Sequence, residues 1–177
     1  MTSQTPYDAM QPDRFFGKFR GEVANNIDPS GLGRVQLSVP DILGDSALSW
    51  AMPCMPGAGP GVGLFTVPPV GGKVWVEFER GDPDYPIYSG GFWDLGDTPV
   101  APGPQQAFTK ALTGDQFKIE LLDAPGLAQG TILITTAVGE ALIEAKADGL
   151  TLSYAGAKIT LALDGVTINN GNLKVLP

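Results

Sequence analysis

Hydrophobic and polar positions along this chain alternate in short runs, each cut off by glycine or proline. The clearest run is Gly71 to Trp93. Val74, Val76 and Phe78 are expected to point one way and Trp75, Glu77 and Glu79 the other, the period of a strand with one buried face. Arg80-Gly81-Asp82-Pro83-Asp84 then breaks the ladder, because glycine frees φ and proline lacks a donor. A second strand follows from Ile87 to Phe92. Upstream, Phe16–Asn25 reads as a strand with Phe19 and Val23 inward and Lys18, Arg20 and Glu22 outward. Val35, Leu37 and Val39 alternate with Arg34, Gln36 and Ser38, and Pro40 ends that run. Shorter strands are expected around Ser49–Met52 and Leu64–Val67, separated by an irregular Pro/Gly-rich stretch from Pro53 to Gly63.

Five or six short antiparallel strands within roughly 80 residues fit a small closed barrel of the OB type. This places a barrel over residues 15–94, with a core of Val35, Leu37, Val39, Val74, Val76 and Phe78. Residues 1–14 read as a flexible or partner-bound arm. Residues 95–114 read as a Pro/Gly-rich linker, where Gly96, Pro99, Pro102, Gly103 and Pro104 crowd together.

From 115 to 177 the texture changes to short alternating runs about ten residues apart: 117–121, 131–135, 141–145, 150–154, 158–163, 166–168 and 173–175. Such thin strands bury little in one chain, and repetition at short period marks an array whose neighbours complete the core. Here the neighbours are expected to be other copies. Three chains wound about one axis would enclose Ile119, Leu121, Ile132, Ile134, Leu152, Ile159, Leu161, Val166, Ile168, Leu173 and Val175. At about 4.8 Å per strand the rod would be on the order of 30 Å long. The alternative is an ordinary second β-domain, such as a meander packed on the barrel.

Composition narrows the chemistry. Gly (24) and Pro (16) favour turns and short strands over long helices. A formal charge of −8 opposes binding to nucleic acid or anionic lipid. The start is polar and lacks the apolar segment of a signal peptide, so synthesis in the cytoplasm as a soluble protein is expected. The single cysteine, Cys54, forms no internal disulfide and reads as a small buried residue. The chain has no histidine, which removes the commonest general base and metal ligand.

No catalytic, cofactor-binding or metal-binding residue is assigned. Glu77 and Glu79, with Asp82 and Asp84, suggest a glycosidase pair, but i, i+2 neighbours on a strand point the same way, not across a cleft. Nucleic-acid binding on an OB barrel needs a basic groove, whereas residues 15–94 hold five basic side chains against nine acidic. Gly57, Gly59, Gly61 and Gly63 never complete a dinucleotide or phosphate motif and read as a barrel loop. Trp75, opposite the inward face of its strand, is the candidate interface residue. Trp50 reads as core, and Trp93 is left open.

The segments Gly33–Asp41, Trp50–Pro53, Pro68–Gly71 and Val74–Pro86, in that order, resemble the OB-fold domain of contractile-tail spike proteins. These are the phage baseplate assembly protein V and central spike family, and the matching part of type VI secretion VgrG proteins. The pattern Asp164-Gly165-Val166-Thr167-Ile168-Asn169-Asn170-Gly171 looks like the triple-stranded β-helix that follows that barrel.

The resemblance implies an all-β homotrimer, an OB collar followed by an intertwined β-helix rod, that punctures a target membrane mechanically. It implies a hub or tube protein at the OB end, no cofactor, no enzymatic activity, and incorporation in a phage tail, tailocin or secretion particle. Relatives ending in a His-x-His iron site differ from this chain, which ends Leu173-Lys174-Val175-Leu176-Pro177. A PAAR-type tip protein is therefore expected on Leu173, Val175, Leu176 and Pro177. The competing readings are an OB binding module with an appended β-domain, and a spike-borne glycan hydrolase.

Overall fold

The computed structural model describes residues 14–43, 47–169 and 172–176, so residues 1–13 of the expected 1–14 arm, Asn170 and Gly171 of the 164–171 pattern, and Pro177 lie outside the described residues. The chain divides into two units, one up to Asp97 and one from Thr98. Among the described residues no helix is long and apolar enough to cross a membrane.

In the first unit β1 (Phe19–Asn25), β2 (Val35–Ser38), β3 (Ala47–Pro53), β6 (Lys73–Phe78) and β7 (Pro86–Gly91) close into a barrel in the order β1-β2-β3-β7-β6. Every pairing is antiparallel except β3 with β7, where Met52 and Pro53 run parallel to Ile87 and Tyr88. That one contact turns an open sheet into the five-stranded barrel of an OB fold. A four-residue helix, α1 (Pro40–Leu43), follows β2. The stretch expected to be irregular contains a small hairpin, β4 (Ala58–Gly59) with β5 (Val62–Gly63), whereas residues 64–67 form no strand. Proline and glycine at 60 and 61 supply the turn.

Alternation dictates the core. Val35, Leu37, Val39, Val74, Val76 and Phe78 are all buried, joined by Val23, Ala51 and Tyr88. Gly21 shares the inward face with Phe19 and Val23, and a Cβ there would lie 2.6 Å from Val76 Cγ2. Two strands cross too closely at that point for any side chain. Buried Tyr88 donates its hydroxyl to the Gly33 carbonyl at 2.7 Å, and burial pushes that hydroxyl's pKa up.

Asp28 organises the β1–β2 loop. Its carboxylate accepts the backbone N–H groups of Ser30, Leu32 and Arg34 and a forked contact from the Arg34 guanidinium at 2.7 Å. Arg34 holds the carboxyl far below the usual carboxylate range, opposed by desolvation and reinforced by the three N–H donors. A lowered folded-state pKa stabilises the fold fully above the unfolded value of about 4 and is lost as pH falls toward the folded one. Asp28→Asn is therefore expected to lower the melting temperature at pH 7 by several degrees. The gap to wild type should narrow as the pH is taken below about 4, as read by thermal melts across pH.

The second unit is one eight-stranded sheet in simple up-and-down order: β8 (Thr109–Thr113), β9 (Phe117–Ala124), β10 (Leu127–Thr136), β11 (Gly139–Lys146), β12 (Gly149–Tyr154), β13 (Ala157–Ala162), β14 (Gly165–Ile168) and β15 (Leu173–Val175). All seven runs read from the sequence fall on strands, the fifth ending at Ala162 with Leu163 in the following turn. The eighth, β8, lies within residues expected as linker. Its pattern offers only one large apolar side chain, Leu112, a few residues after a Pro/Gly cluster.

Candidate functional site

Register determines what this sheet can do. Side chains directly opposite on paired antiparallel strands share a face. Following the pairs across the sheet gives one continuous row: Leu112, Ile119, Ile132, Ile143, Leu152, Ile159, Ile168, Leu173. All eight members are branched aliphatics. Beside it runs a second row from Leu121 through Gly130, Ala145, Leu150, Leu161 and Val166 to Val175. On the other side a shorter row joins Phe117, Ile134, Ala141, Tyr154 and Ala157.

The opposite face is mainly polar, with Leu122, Leu133 and Leu142 half-buried on it. Its central row reads Ala111, Glu120, Thr131, Glu144, Thr151, Thr160, Thr167. Lys118 pairs with Glu120 at 2.6 Å and Lys146 with Glu144 at 2.8 Å, each between i and i+2 positions of one strand. These same-face neighbours hold their charges in water.

Burial makes the apolar face the site. Among the described residues from Thr98 onward none is buried, and Ile119, Ile132, Ile143, Leu152 and Ile159 remain 39–43% exposed. A single sheet has nothing to cover them. Completing their burial contributes on the order of 1 kcal/mol per side chain, summed over rows that run the full height of the sheet. An exposed apolar surface of this extent marks an association face.

Every residue expected in the rod interior lies on this face, in register: Ile119, Leu121, Ile132, Ile134, Leu152, Ile159, Leu161, Val166, Ile168, Leu173 and Val175. Leu112, Phe117, Ile143, Leu150 and Tyr154 belong with them and were missed. Leu112 sat in the expected linker. Ile143 follows Leu142, so the local pattern does not say which of the two faces inward.

The sheet also narrows. β10 has ten residues, β12 and β13 six each, β14 four and β15 three. At roughly 3.4 Å per residue its width falls from about 34 Å to about 10 Å. The chain reaches the narrow end with Leu173, Val175 and Leu176 all more than half exposed.

In the barrel, two of the four carboxylates considered for catalysis, Glu77 and Asp82, are held in ion pairs. Glu77 is ion-paired with Lys18 at 2.8 Å, which pulls its pKa down, and Asp82 pairs with Arg14 at 3.0 Å. Trp75 lies on the outward face, its ring 4.8 Å from Phe92, with the Arg20 guanidinium over both. Trp50, expected in the core, is instead half-buried on the outside beneath Arg34, because the inward position of β3 belongs to its neighbour Ala51. Trp93 is 65% exposed. Cys54, expected to be buried, is exposed. It follows the last residue of β3, and its N–H donates to the Tyr88 carbonyl at 2.9 Å.

Comparison with known families agrees with both halves of this description. Residues 19–93 match the Type VI secretion system/phage-baseplate injector OB domain. Residues 110–174 match the phage baseplate V C-terminal trimerisation domain. No curated protein matches the chain. The closed five-stranded barrel falls within the OB-domain match and the eight-stranded sheet overlaps the trimerisation-domain match, and the chain belongs to the phage baseplate V family.

Proposed function

We infer that this protein is the central spike of a contractile injection machine, a homotrimer that pierces the target envelope mechanically. The observation that carries this reading is the tapering sheet with one exposed apolar face. Three such sheets, apolar faces inward about one axis, bury the aliphatic rows and leave the Thr/Glu/Lys face to water. The product is a rod of about 34 Å, from eight strands at about 4.8 Å spacing, ending in a narrow point. Stiffness under axial load comes from strands hydrogen-bonded in series with a dry interior.

Each unit offers a surface for attachment. The barrel docks on the hub or tube of the baseplate. β15 is the last strand of its sheet and offers unpaired backbone beside Leu173 and Val175, which suits strand addition by a PAAR-type tip protein. The role is structural, with sheath contraction supplying the work.

Removing the narrow end tests piercing directly. Particles carrying a chain truncated after Ala162 are expected to assemble and contract normally. Their killing or ejection across intact envelopes should drop at least tenfold, with recovery on spheroplasts. Equal activity of truncated and complete particles on intact cells would remove the piercing role.

A further inference from the structure

The barrel carries a second apolar surface that the sheet does not explain. At one pole β1, β3 and β7 end and β2 and β6 begin, and the chain leaves the barrel there after Gly91. The loops at this pole, 26–34 and 54–72, are tied together. Asn26 Nδ2 donates to the Pro68 carbonyl at 3.1 Å and the Gly71 N–H to the Val23 carbonyl at 2.8 Å. The Phe65 ring sits so close to Gly33 that a Cβ there would meet it at 3.0 Å.

The 54–72 side of this surface is apolar, and the charges of the 26–34 loop, Asp28 and Arg34, neutralise each other. Ile27, Val62, Phe65 and Val70 are 61–80% exposed, and residues 46–72 contain no charged side chain. Depletion of charge is what distinguishes the centre of an interface from ordinary surface.

Segment 64–67 has a different character on its two sides. Leu64, Thr66 and Val67 line a groove of about 570 Å³, whose other walls include Cys54, Met55, Tyr88, Gly91 and a single charged residue, Lys73. Phe65 is not among the groove residues; one edge of its ring rests against Gly33 and the rest is exposed. A cavity and a projection on one short segment are what a ring of three needs, since cyclic threefold contacts join two different patches, whereas a self-complementary patch pairs copies two by two.

We propose that in the trimer the Phe65 ring of one barrel enters the Leu64 groove of the next, closing a collar of three barrels. The occupant is a second copy because the chain passes from this pole into the trimerisation domain within 18 residues, from Phe92 to Thr109. Tethers of that length hold the three poles at an effective concentration on the order of millimolar. A foreign partner would have to compete with that. The inference rests on the trimeric reading above.

Cys54, exposed in the groove and the sole cysteine, makes the contact testable in the full-length protein. A Phe65→Cys chain, oxidised with copper–phenanthroline and run on a non-reducing denaturing gel, is expected to give two- and three-chain bands. These should vanish when Cys54→Ser is added, because a disulfide requires Cβ atoms within about 4.5 Å. Asp84→Cys, in the β6–β7 turn at the other pole, should give none. A three-chain mass by light scattering with only single-chain bands, or equal cross-linking through Asp84→Cys, overturns the collar alone. A single-chain mass for the unmodified protein overturns the collar and the trimer together.

Discussion

Ile143→Asp is expected to abolish the trimer. Ile143 lies near the middle of the central aliphatic row, opposite Ile132 on one side and Leu152 on the other, and is 43% exposed in the single chain. In the assembled rod the substitution places three carboxylates around one axis in a dry interior. Each costs several kcal/mol to desolvate, and they repel one another. Light scattering should show the mass falling from about three times 18.5 kDa to one. The freed chain should bind an apolar dye. Thr151→Asp, on the opposite face of the same sheet, should leave the mass unchanged. Because Trp50, Trp75 and Trp93 all lie in the first unit, tryptophan fluorescence should report an intact barrel in both variants. A stable three-chain Ile143→Asp species would mean that this face does not form the trimer interior.

Leu37→Ala is expected to have the reverse effect. Leu37 is fully buried in β2, opposite Val23 of β1, at the centre of the barrel core. Truncation leaves a cavity in close-packed surroundings and costs about 2–5 kcal/mol, a large share of the 5–15 kcal/mol typical of a whole domain. The tryptophan-monitored urea midpoint should fall accordingly, while the three-chain mass persists, since the aliphatic rows are untouched. Dissociation of this variant at low urea would show that the barrels, and not the sheet, hold the copies together.

The two substitutions separate units whose stability has different sources. The barrel keeps its apolar side chains inside one chain, and its core positions show relative exposures of 0–7%. The sheet holds its apolar side chains on one face and reaches no comparable burial anywhere among its described residues.

Much of this was readable from local pattern. Val35, Leu37 and Val39, and Val74, Val76 and Phe78, each alternate with polar neighbours, and a strand's period of two assigns such residues to one face without reference to any partner. Gly21 escaped that reading because a residue without a side chain carries no hydrophobic signal. It occupies the inward row only because Val76 crosses it so closely. Trp50 was misplaced because size suggested burial, whereas Ala51 takes the inward position and Arg34 covers the indole. In the second unit part of the apolar face was legible, and Leu112, Phe117, Ile143, Leu150 and Tyr154 were not. Neither was the uninterrupted row from Leu112 to Leu173, because it depends on the register of each hairpin in turn.

The sequence alone determined the all-β character, the faces of the strictly alternating strands and the existence of two unlike halves, since alternation, glycine and proline act over a few residues. Only the tertiary structure decided that β3 and β7 pair in parallel to close the barrel, that β8 joins the sheet, and that Cys54 opens onto a groove. Those outcomes depend on which distant segments meet, and pairing between strands far apart in the chain is selected by the packing of the whole core and not by any short stretch within it.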